Sequence, residues 1–477
     1  MAPLMFGGLI AFMLIGYPVA FSLAAVGLFF GFIGIELGFF EFALLQALPE
    51  RVFGILANDL LLAIPFFTFM GAVLERSGLA EDLLEAAGQL FGPVRGGLAY
   101  AVIFVGALLG AITGTVAASV IAMGLIALPV MMRYGYDMRI ATGVIAASGT
   151  ITQLIPPSLV LIVLADQLGK PVGDMYAGAI GPSIAQVLLF CAFIALVSVF
   201  RPDRVPALPP EARTLRGAAL LKRVLWGVVP SLILIFLVLG TILAGIATST
   251  EGGAMGAVGA LALAAIQRRL NWPMLWHAMS STLRLTAMVT FILIGSTVFT
   301  LVFRGVDGDL WIENMLTSLP GGVVGFLIAV NLFVFVLAFF LDFFEIAFIV
   351  IPLLAPVAAK LGIDLIWFGV LLGANMQTSF MHPPFGFALF YLRGIAPKEV
   401  KSSDIYWGAV PWVVMQLLLV AILIFWPGLV TSFIPKPKTI DPAKIEIQLD
   451  TPAPPSPGPG KDDPSAEIER LLKQQSR

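Results

Sequence analysis

The chain has 477 residues, of which 59% are hydrophobic and only 12% are charged, and its mean hydropathy is +1.00. Soluble domains carry about 25% charged residues, so this composition excludes a water-soluble globular protein and indicates an all-α polytopic membrane protein. The formal net charge of −2 gives no indication of nucleic-acid binding. The single cysteine, Cys191, excludes an internal disulfide framework, and because it lies in an apolar run we expect it in the core.

The first half of the chain is predicted to cross the membrane five times. A spanning helix needs about 20 apolar residues, and the apolar runs nearest to this requirement are 4–15, 19–33, 60–74, 138–168 and 175–200. Residues 36–58 and 77–95 mix charged and apolar residues, which is typical of amphipathic arm helices on the membrane surface. Because 1–12 carries no basic segment, we expect no cleavable signal peptide.

Residues 96–132 are predicted to form a re-entrant hairpin. The segment is apolar but is interrupted at 110–115 (GAITGT), which leaves two arms of about 15 residues each. Such arms are too short to cross the membrane comfortably, and irregular backbone at membrane depth is tolerated only where protein or water covers it. We therefore expect both arms to return to the side from which they entered.

The charged stretch 201–223 separates this half from a second half with the same order of elements. The second half is predicted to hold a surface helix at 272–281, a second hairpin at 321–359 with its tip at Leu341-Asp342, and crossings at 224–244, 252–266, 283–303, 365–392 and 407–433. Residues 435–477 are rich in proline and charge, and we expect a mostly disordered tail.

One polar, proline-broken segment occurs twice. Residues 146–159 (AASGTITQLIPPSL) align without a gap on 373–386 (GANMQTSFMHPPFG), at an offset of 383 − 156 = 227. The same offset pairs Pro129 with Pro356 and Asp137 with Asp364, so the chain contains two half-domains. Each half has five crossings, an odd number, so the two repeats enter the membrane in opposite senses, an arrangement typical of secondary transporters. We divide the chain into 1–200, a cytoplasmic linker 201–223, 224–434 and the tail.

The distribution of basic residues predicts the orientation. If 201–223 is cytoplasmic, sixteen of the twenty Lys and Arg residues before the tail fall on the cytoplasmic side. The four that fall outside are Arg51, Lys170, Arg304 and Lys360. Both termini are then predicted to face the periplasm, the first hairpin opens to the cytoplasm and the second opens to the periplasm.

The two Pro-Pro pairs are predicted to unwind their helices near the middle of the bilayer. Proline removes a backbone donor and clashes with the preceding turn, so Pro156-Pro157 and Pro383-Pro384 free carbonyl groups in the residues before them. These carbonyls belong to Ser148, Gly149 and Thr150 in the first half and to 375–378 in the second. Hard cations such as Na⁺ take several oxygen ligands, and the helix ends at a break can face an anionic substrate. The hairpin tips, Thr113-Gly114-Thr115 and Leu341-Asp342, would complete two sites.

Several residues near these breaks have two interpretations. Asp342 is either a helix N-cap or a functional intramembrane acid, and Glu345 one turn later is the alternative carboxylate. Glu251 begins a helix that Ser249 or Thr250 would cap. His382 either titrates and couples protons or is held by hydrogen bonds in a structural role.

Five motifs resemble the large membrane subunit of TRAP transporters, the DctM type. They are AIPFFTFMG (63–71), GAITGTVAASVIAMG (110–124), AASGTITQLIPPS (146–158), GIATSTEGGA (245–254) and HPPFGFALF (382–390). The resemblance implies an elevator-type, Na⁺-coupled importer of the ion-transporter superfamily in the bacterial inner membrane, without a prosthetic group. It also implies a periplasmic binding protein that delivers an organic acid and a small four-helix membrane subunit on a separate chain.

By position, the resemblance implies two Na⁺ sites with the substrate between them. The first would use Thr113, Gly114 and Thr115 with Ser148, Gly149 and Thr150, and the second would use Asp342, Gly373, Asn375 and Thr378. H⁺ is the alternative coupling ion, because His382 is a titratable residue directly before the second Pro-Pro pair.

A stand-alone ion-coupled carboxylate carrier of the same superfamily is the alternative function. An intramembrane enzyme is disfavoured because the sequence has no Ser/His/Asp set, no HExxH motif and no paired GxGD aspartates. A channel is disfavoured because hairpins of this kind serve alternating access.

Overall fold

A computed structural model describes residues 1–113, 115–215, 217–383 and 386–435, and within these ranges every regular element is helical. Gly114, Arg216, Pro384, Phe385 and the predicted tail from 436 onwards lie outside the described residues. The helices of the first half are α1 (Ala2–Ile15), α2 (Val19–Glu36), α3 (Leu48–Leu56), α4 (Ala63–Arg76), α5 (Leu79–Phe91), α6 (Gly97–Thr113), α7 (Val116–Arg133), α8 (Met138–Thr150), α9 (Leu159–Leu168) and α10 (Val172–Phe200). Those of the second half are α11 (Gly217–Ile235), α12 (Thr241–Leu243), α13 (Ser249–Ile266), α14 (Trp272–Gly305), α15 (Gly308–Thr317), α16 (Gly322–Leu337), α17 (Phe343–Ile349), α18 (Ile351–Lys360), α19 (Leu365–Met376), α20 (Phe387–Ile395), α21 (Ser402–Phe425) and α22 (Gly428–Thr431).

The described ranges make a multi-span membrane protein. Seven helical segments are long and apolar enough to cross a bilayer, and the number rises to ten if three bent helix pairs each count as one span. Large apolar side chains such as those of Phe236 and Val258 are 77% and 67% exposed. In a protein of this composition, such side chains are expected to face lipid.

The structure corrects the prediction for 272–303. A surface helix at 272–281 was expected to precede a separate crossing at 283–303, whereas α14 is a single helix of 34 residues. Thr282 in the expected gap donates its hydroxyl to the carbonyl of Ala278 at 2.8 Å, and after Pro273 the helix contains no further proline. In the first half, by contrast, Asn58 caps a short 3₁₀ turn and the chain bends by 46° there.

The linker is also shorter than predicted, because helix α11 begins at Gly217 inside the range 201–223. From Gly217 the segment is continuously helical up to Ile235. Between α10 and α11, the described residues 201–215 contain no α-helix and form two short 3₁₀ turns, Pro202–Arg204 and Pro210–Ala212.

The helix boundaries of the two halves follow nearly the same spacing. Helices α8 and α19 begin at Met138 and Leu365, an offset of 365 − 138 = 227. The corresponding offset is 387 − 159 = 228 for the short helices α9 and α20, and 402 − 172 = 230 for the long helices α10 and α21. Each half thus contains, in the same order, a helical hairpin, a helix that ends before a Pro-Pro pair (α8 or α19), a short helix (α9 or α20) and a long helix (α10 or α21).

The short helix of each half packs against helices of the other half, and we call α9 and α20 the exchanged helices. Helix α9 of the first half packs against α17, α18 and α19 of the second, and helix α20 of the second packs against α7 and α8 of the first. A second set of helices, α2, α4, α13 and α14, packs mainly with each other, and it meets the first set where α4 contacts α6, α7 and α9 and where α14 contacts α17. Because the exchanged helices come directly after the interrupted segments, both interruptions lie where the halves meet.

Candidate functional site

The first interruption lies between helices α8 and α9. Helix α8 ends at Thr150, a short 3₁₀ turn covers Ile151–Gln153, and α9 begins at Leu159. Ser158 caps α9 by accepting from the amide of Val160 at 3.1 Å, and its hydroxyl donates to the carbonyl of Gln153 at 2.7 Å. Pro156 and Pro157 lie between these points and donate no backbone hydrogen bond, so the α-helical ladder stops before them.

The second interruption has the same construction. Helix α19 ends at Met376, a 3₁₀ turn covers Gln377–Met381, and α20 begins at Phe387. His382 is in an extended conformation and Pro383 follows it. We call residues 151–158 break one and residues 377–383 break two.

The first hairpin, α6 and α7, holds the end of helix α8 from two sides. A Cβ atom built on Gly106 would lie 2.7 Å from the Cβ and the carbonyl oxygen of Ser148, and one on Gly110 would lie 2.9 Å from the Cα of Thr152. From the other arm, the side chain of Val120 comes within 2.2 Å of a Cβ placed on Gly149. The glycines therefore let both arms of the hairpin approach the backbone before break one, which is the use of glycine at a close approach.

The polar groups at break one are buried and partly unpaired. The hydroxyl of Thr150 donates to the carbonyl of Ala147 at 2.9 Å and accepts from the side-chain amide of Gln416 at 2.9 Å. The hydroxyl of Ser148 and the Oε1 atom of Gln153 are buried without a partner among the described residues. Thr115, which opens helix α7, is half-buried and makes no capping bond with its side chain.

The second hairpin, α16 to α18, meets break two. The ring of His382 stacks on Phe339 at a centroid distance of 4.1 Å and lies edge-on to Phe335 at 4.5 Å. The side-chain amide of Asn375 donates to the backbone carbonyl of Asn331 on α16 at 2.7 Å. The tip of this hairpin therefore lies against the segment that precedes Pro383.

His382 is held mainly by aromatic packing, with the backbone of Ala338 beside its ring. A hydrogen-bonded role was the structural alternative expected from the sequence. The side chain is 1% exposed and is enclosed by the rings of Phe335 and Phe339.

Asp342 caps helix α17 in a capping box. Its carboxylate accepts from the amide of Glu345 at 2.9 Å, and the Glu345 carboxylate accepts from the amide of Asp342 at 3.0 Å. The sequence offered both residues as candidate functional acids, and the structure gives each a helix-capping partner. The corresponding box at the start of α13 is made by Thr248 with Glu251, so Thr248 is the cap where Ser249 or Thr250 was expected.

A cavity of about 640 Å³ lies at the tip of the second hairpin. Its walls are formed by 337–341, by Ser379 of break two, and by Ile10, Met13 and Phe387. The lining includes Leu341 and Ser379, the neighbours of Asp342 and Thr378, but none of the four residues expected for the second cation site.

Six buried side-chain oxygens at and next to the two breaks lack a hydrogen-bond partner within the described ranges. They belong to Ser148, Gln153, Asn375, Gln377, Thr378 and Gln416. Leaving a buried polar atom unpaired costs about 1–3 kcal/mol, so these oxygens need a ligand, an ordered water or a further partner. Oxygen ligands suit a hard cation such as Na⁺, while the described residues contain no group of three or more His, Cys, Asp or Glu side chains able to hold a metal ion.

The structure also brings in residues that the sequence reasoning missed. Gln153, Gln186, Gln377, Gln416 and Asn331 are buried amides within the membrane-spanning region. Their signal was present in the sequence, because polar side chains within apolar spanning segments are expensive unless they are paired or functional. Gly373, by contrast, packs against Leu164 of α9 and contributes only its backbone.

The sequence comparisons indicate one family. A sequence profile described as tripartite ATP-independent periplasmic transporter, DctM component, matches residues 6–429. The chain is 29% identical over 384 residues to the C4-dicarboxylate TRAP transporter large permease protein DctM of Pseudomonas aeruginosa, covering 80% of this chain and 88% of that protein. It is 24% identical over 424 residues to the sialic acid TRAP transporter permease protein SiaT of Haemophilus influenzae, covering 89% of this chain and 66% of that protein.

Among solved structures, the YdaH transporter of Alcanivorax borkumensis has a similar fold. The TM-score is 0.58 at 16% sequence identity, and the match covers 82% of this chain and 90% of that one.

Proposed function

The chain belongs to the DctM component family of tripartite ATP-independent periplasmic transporters, and from this premise we propose that it is the large permease subunit of a Na⁺-coupled, elevator-type importer of a small organic acid anion. The observation that carries the Na⁺ proposal is the set of buried, unpartnered oxygens around the two breaks. Ser148, Gly149 and Thr150 with the tip at Thr113–Thr115 form the first proposed site. Gly373, Asn375 and Thr378 form the second, with Asp342 at the nearby hairpin tip.

The proposed topology has two inverted repeats, 1–200 and 224–434, each with five crossings and one re-entrant hairpin. The ion pairs support it, because each joins two residues that this topology places on the same side of the membrane. Among the described residues, the pairs Arg139–Asp404, Arg204–Asp137, Arg223–Asp82, Arg223–Glu85 and Arg269–Asp82 lie on the proposed cytoplasmic side, and Lys360–Glu313 lies on the proposed outer side. Arg51 and Arg304, both assigned to the outer side, also line one common cavity of about 320 Å³.

The packing supports an elevator-type division of the molecule. The two hairpins, the exchanged helices α9 and α20, and the interrupted helices α8 and α19 form one contact network, to which α10 and α21 also belong. Helices α2, α4, α13 and α14 pack mainly with each other. We propose that the first set moves across the membrane against the second and carries the sites with it.

The substrate and the partners follow from the family. The two relatives described above are named for C4-dicarboxylate and for sialic acid, both of which are carboxylates, so we propose a mono- or dicarboxylate as the substrate. A periplasmic binding protein would deliver it, and a small four-helix membrane subunit would complete the tripartite system. We place the complex in the bacterial inner membrane with both termini of this chain in the periplasm.

Uptake by proteoliposomes tests this function. The complete system is reconstituted, and Ser148→Ala and Asn375→Ala are compared with Thr282→Ala, which removes a hydroxyl of α14 that bonds only to its own helix. We expect the first two variants to require several-fold more Na⁺ for half-maximal uptake and the third to behave like wild type. Wild-type Na⁺ dependence in both site variants would remove these residues from the cation sites.

A second measurement separates the two candidate functions. Uptake by the membrane subunits is recorded with and without the binding protein. Uptake that needs no binding protein would favour a stand-alone carboxylate carrier and contradict the tripartite system.

A further inference from the structure

Two side-chain hydrogen bonds cross between the halves at the breaks. The Nε2 atom of Gln416 on α21 donates to the Oγ1 atom of Thr150 at 2.9 Å, at the end of helix α8. The Nε2 atom of Gln377, the first residue of break two, donates to the Oε1 atom of Gln186 on α10 at 3.1 Å. The residue directly before break one and the first residue of break two are thus each joined to the long helix of the opposite half.

These two hydrogen bonds occupy equivalent positions in the repeat. The offset between Thr150 and Gln377 is 377 − 150 = 227, which is also the offset between the starts of α8 and α19. The offset between Gln186 and Gln416 is 416 − 186 = 230, which is also the offset between the starts of α10 and α21. The same kind of hydrogen bond therefore occurs twice. In the first, the second half supplies the long helix and the first half supplies the break; in the second, these contributions are reversed.

The surroundings of both pairs are fully enclosed. Gln186 is 1% exposed, and Thr150, Gln377 and Gln416 are 0% exposed. A buried amide is unfavourable unless it is hydrogen-bonded, so glutamine at these positions needs its partner. The direction of the first bond follows from the local geometry. Because the Thr150 hydroxyl gives its hydrogen to Ala147, the Gln416 amide must present its NH₂ group to Thr150.

We propose that Gln186 and Gln416 are positioning residues that tie each break to the opposite half, so that the two cation sites are assembled together and move as one body. The inference rests on the proposed Na⁺-coupled function. Prolines and 3₁₀ turns leave both breaks without a continuous helical ladder, and a hydrogen bond to a long intact helix supplies the missing restraint. Gln416 acts on the residue that closes the first site, and Gln186 acts on the residue between Asn375 and Thr378 of the second.

The test uses the full chain in detergent, with Gln416→Met and Gln186→Met, which keep the side-chain length and remove the amide. Gln89→Met is the matched control, because the Gln89 amide also donates to another segment, the carbonyl of Ala212 at 3.1 Å, but away from both breaks. Backbone hydrogen exchange is measured across 150–153 and 377–381. The second readout is the NaCl concentration that gives half-maximal thermal stabilisation, with choline chloride replacing NaCl at constant ionic strength.

We expect Gln416→Met to speed exchange at 150–153 and Gln186→Met to speed exchange at 377–381. Each variant should raise the Na⁺ midpoint about three- to tenfold. Gln89→Met should lower the melting temperature measured without Na⁺ but leave the Na⁺ midpoint and the exchange rates at both breaks unchanged. Faster exchange with an unchanged Na⁺ midpoint would contradict a role of the glutamines in positioning the cation sites. Unchanged exchange would show that the glutamines do not restrain the breaks. If either Met variant does not fold, the corresponding Asn variant, which stays polar but is one methylene too short, replaces it.

Failure of the proposed Na⁺-coupled function would be seen in the wild-type chain and not in the variants. If the wild-type chain shows no stabilisation by Na⁺ beyond that by choline, Na⁺ coupling at these sites is contradicted. The exchange measurement still decides whether the two glutamines restrain the breaks.

Discussion

Gly106→Ala tests whether the first hairpin must close on break one for cation binding. Gly106 lies on α6, and the added methyl group would meet the Cβ and carbonyl oxygen of Ser148 at 2.7 Å and its carbonyl carbon at 3.0 Å. Two of these atoms belong to the backbone of α8, which cannot rotate away as a flexible side chain could. The hairpin or the end of α8 must therefore shift by several tenths of an ångström.

The magnitude is the cost of overpacking this interface. Forcing an extra methyl group into a packed interface costs about 1–3 kcal/mol. The higher helix propensity of alanine stabilises α6 equally with and without Na⁺, so it raises the melting temperature and does not change the Na⁺ midpoint. Since about 1.4 kcal/mol corresponds to a factor of ten in affinity, the Na⁺ midpoint should rise roughly 5- to 140-fold.

The assay is Na⁺-dependent thermal stabilisation of the purified chain, with Gly394→Ala as the matched control. Gly394 also lies inside a helix, α20, but a Cβ there meets nothing within 4 Å. The control should keep the wild-type Na⁺ midpoint and gain slightly in melting temperature. A Gly106→Ala variant with a wild-type Na⁺ midpoint would refute the reasoning that contact between the hairpin and α8 builds the first site.

Three further predictions concern single positions. Asp342→Asn should keep the cap of α17 and wild-type stability, whereas Asp342→Ala should lose about 0.5–2 kcal/mol in thermal unfolding; loss of Na⁺-dependent uptake in the Asn variant would instead identify the carboxylate as a ligand. His382→Phe should fill the same space beside Phe339 and leave the pH profile of uptake unchanged between about pH 6 and pH 8; an altered profile would identify His382 as the proton-linked group. In a Cys191→Ser background, Asp203→Cys should react with a membrane-impermeant thiol reagent only from the cytoplasmic side, and labelling from outside would reverse the topology.

The order of the elements near the site could be predicted because its signals are local. A proline acts on its own turn of helix, so the two Pro-Pro pairs mark the interruptions after Thr150 and Met376 directly in the sequence. The charged stretch 201–223 and the constant offset between the two proline-broken segments likewise need no knowledge of contacts. The extent of α14 was mispredicted, because Ser, Thr and charged residues near 281 indicate a boundary only weakly and their hydroxyls can bond back to the helix itself.

The partners of the site residues could not be predicted in this way. Thr150 and Gln416 are separated by 266 positions in the sequence, and Gln377 and Gln186 by 191. No local pattern specifies which buried glutamine meets which break, and the packing of His382 against Phe339 depends on where the second hairpin turns back.

By itself, the sequence determined that this is a membrane protein, which family it belongs to, that one proline-broken segment recurs and where two helices stop. Hydropathy, motif spacing and proline stereochemistry act over short stretches of chain, so these features need no knowledge of tertiary contacts. Only the tertiary structure decided that α9 and α20 change places between the halves, that Asp342 and Glu345 cap one another, and that glutamines of one half hold the break of the other. Those features depend on hydrogen bonds and packing between residues far apart in the chain, and a buried polar atom takes whichever partner the folded backbone brings within about 3 Å.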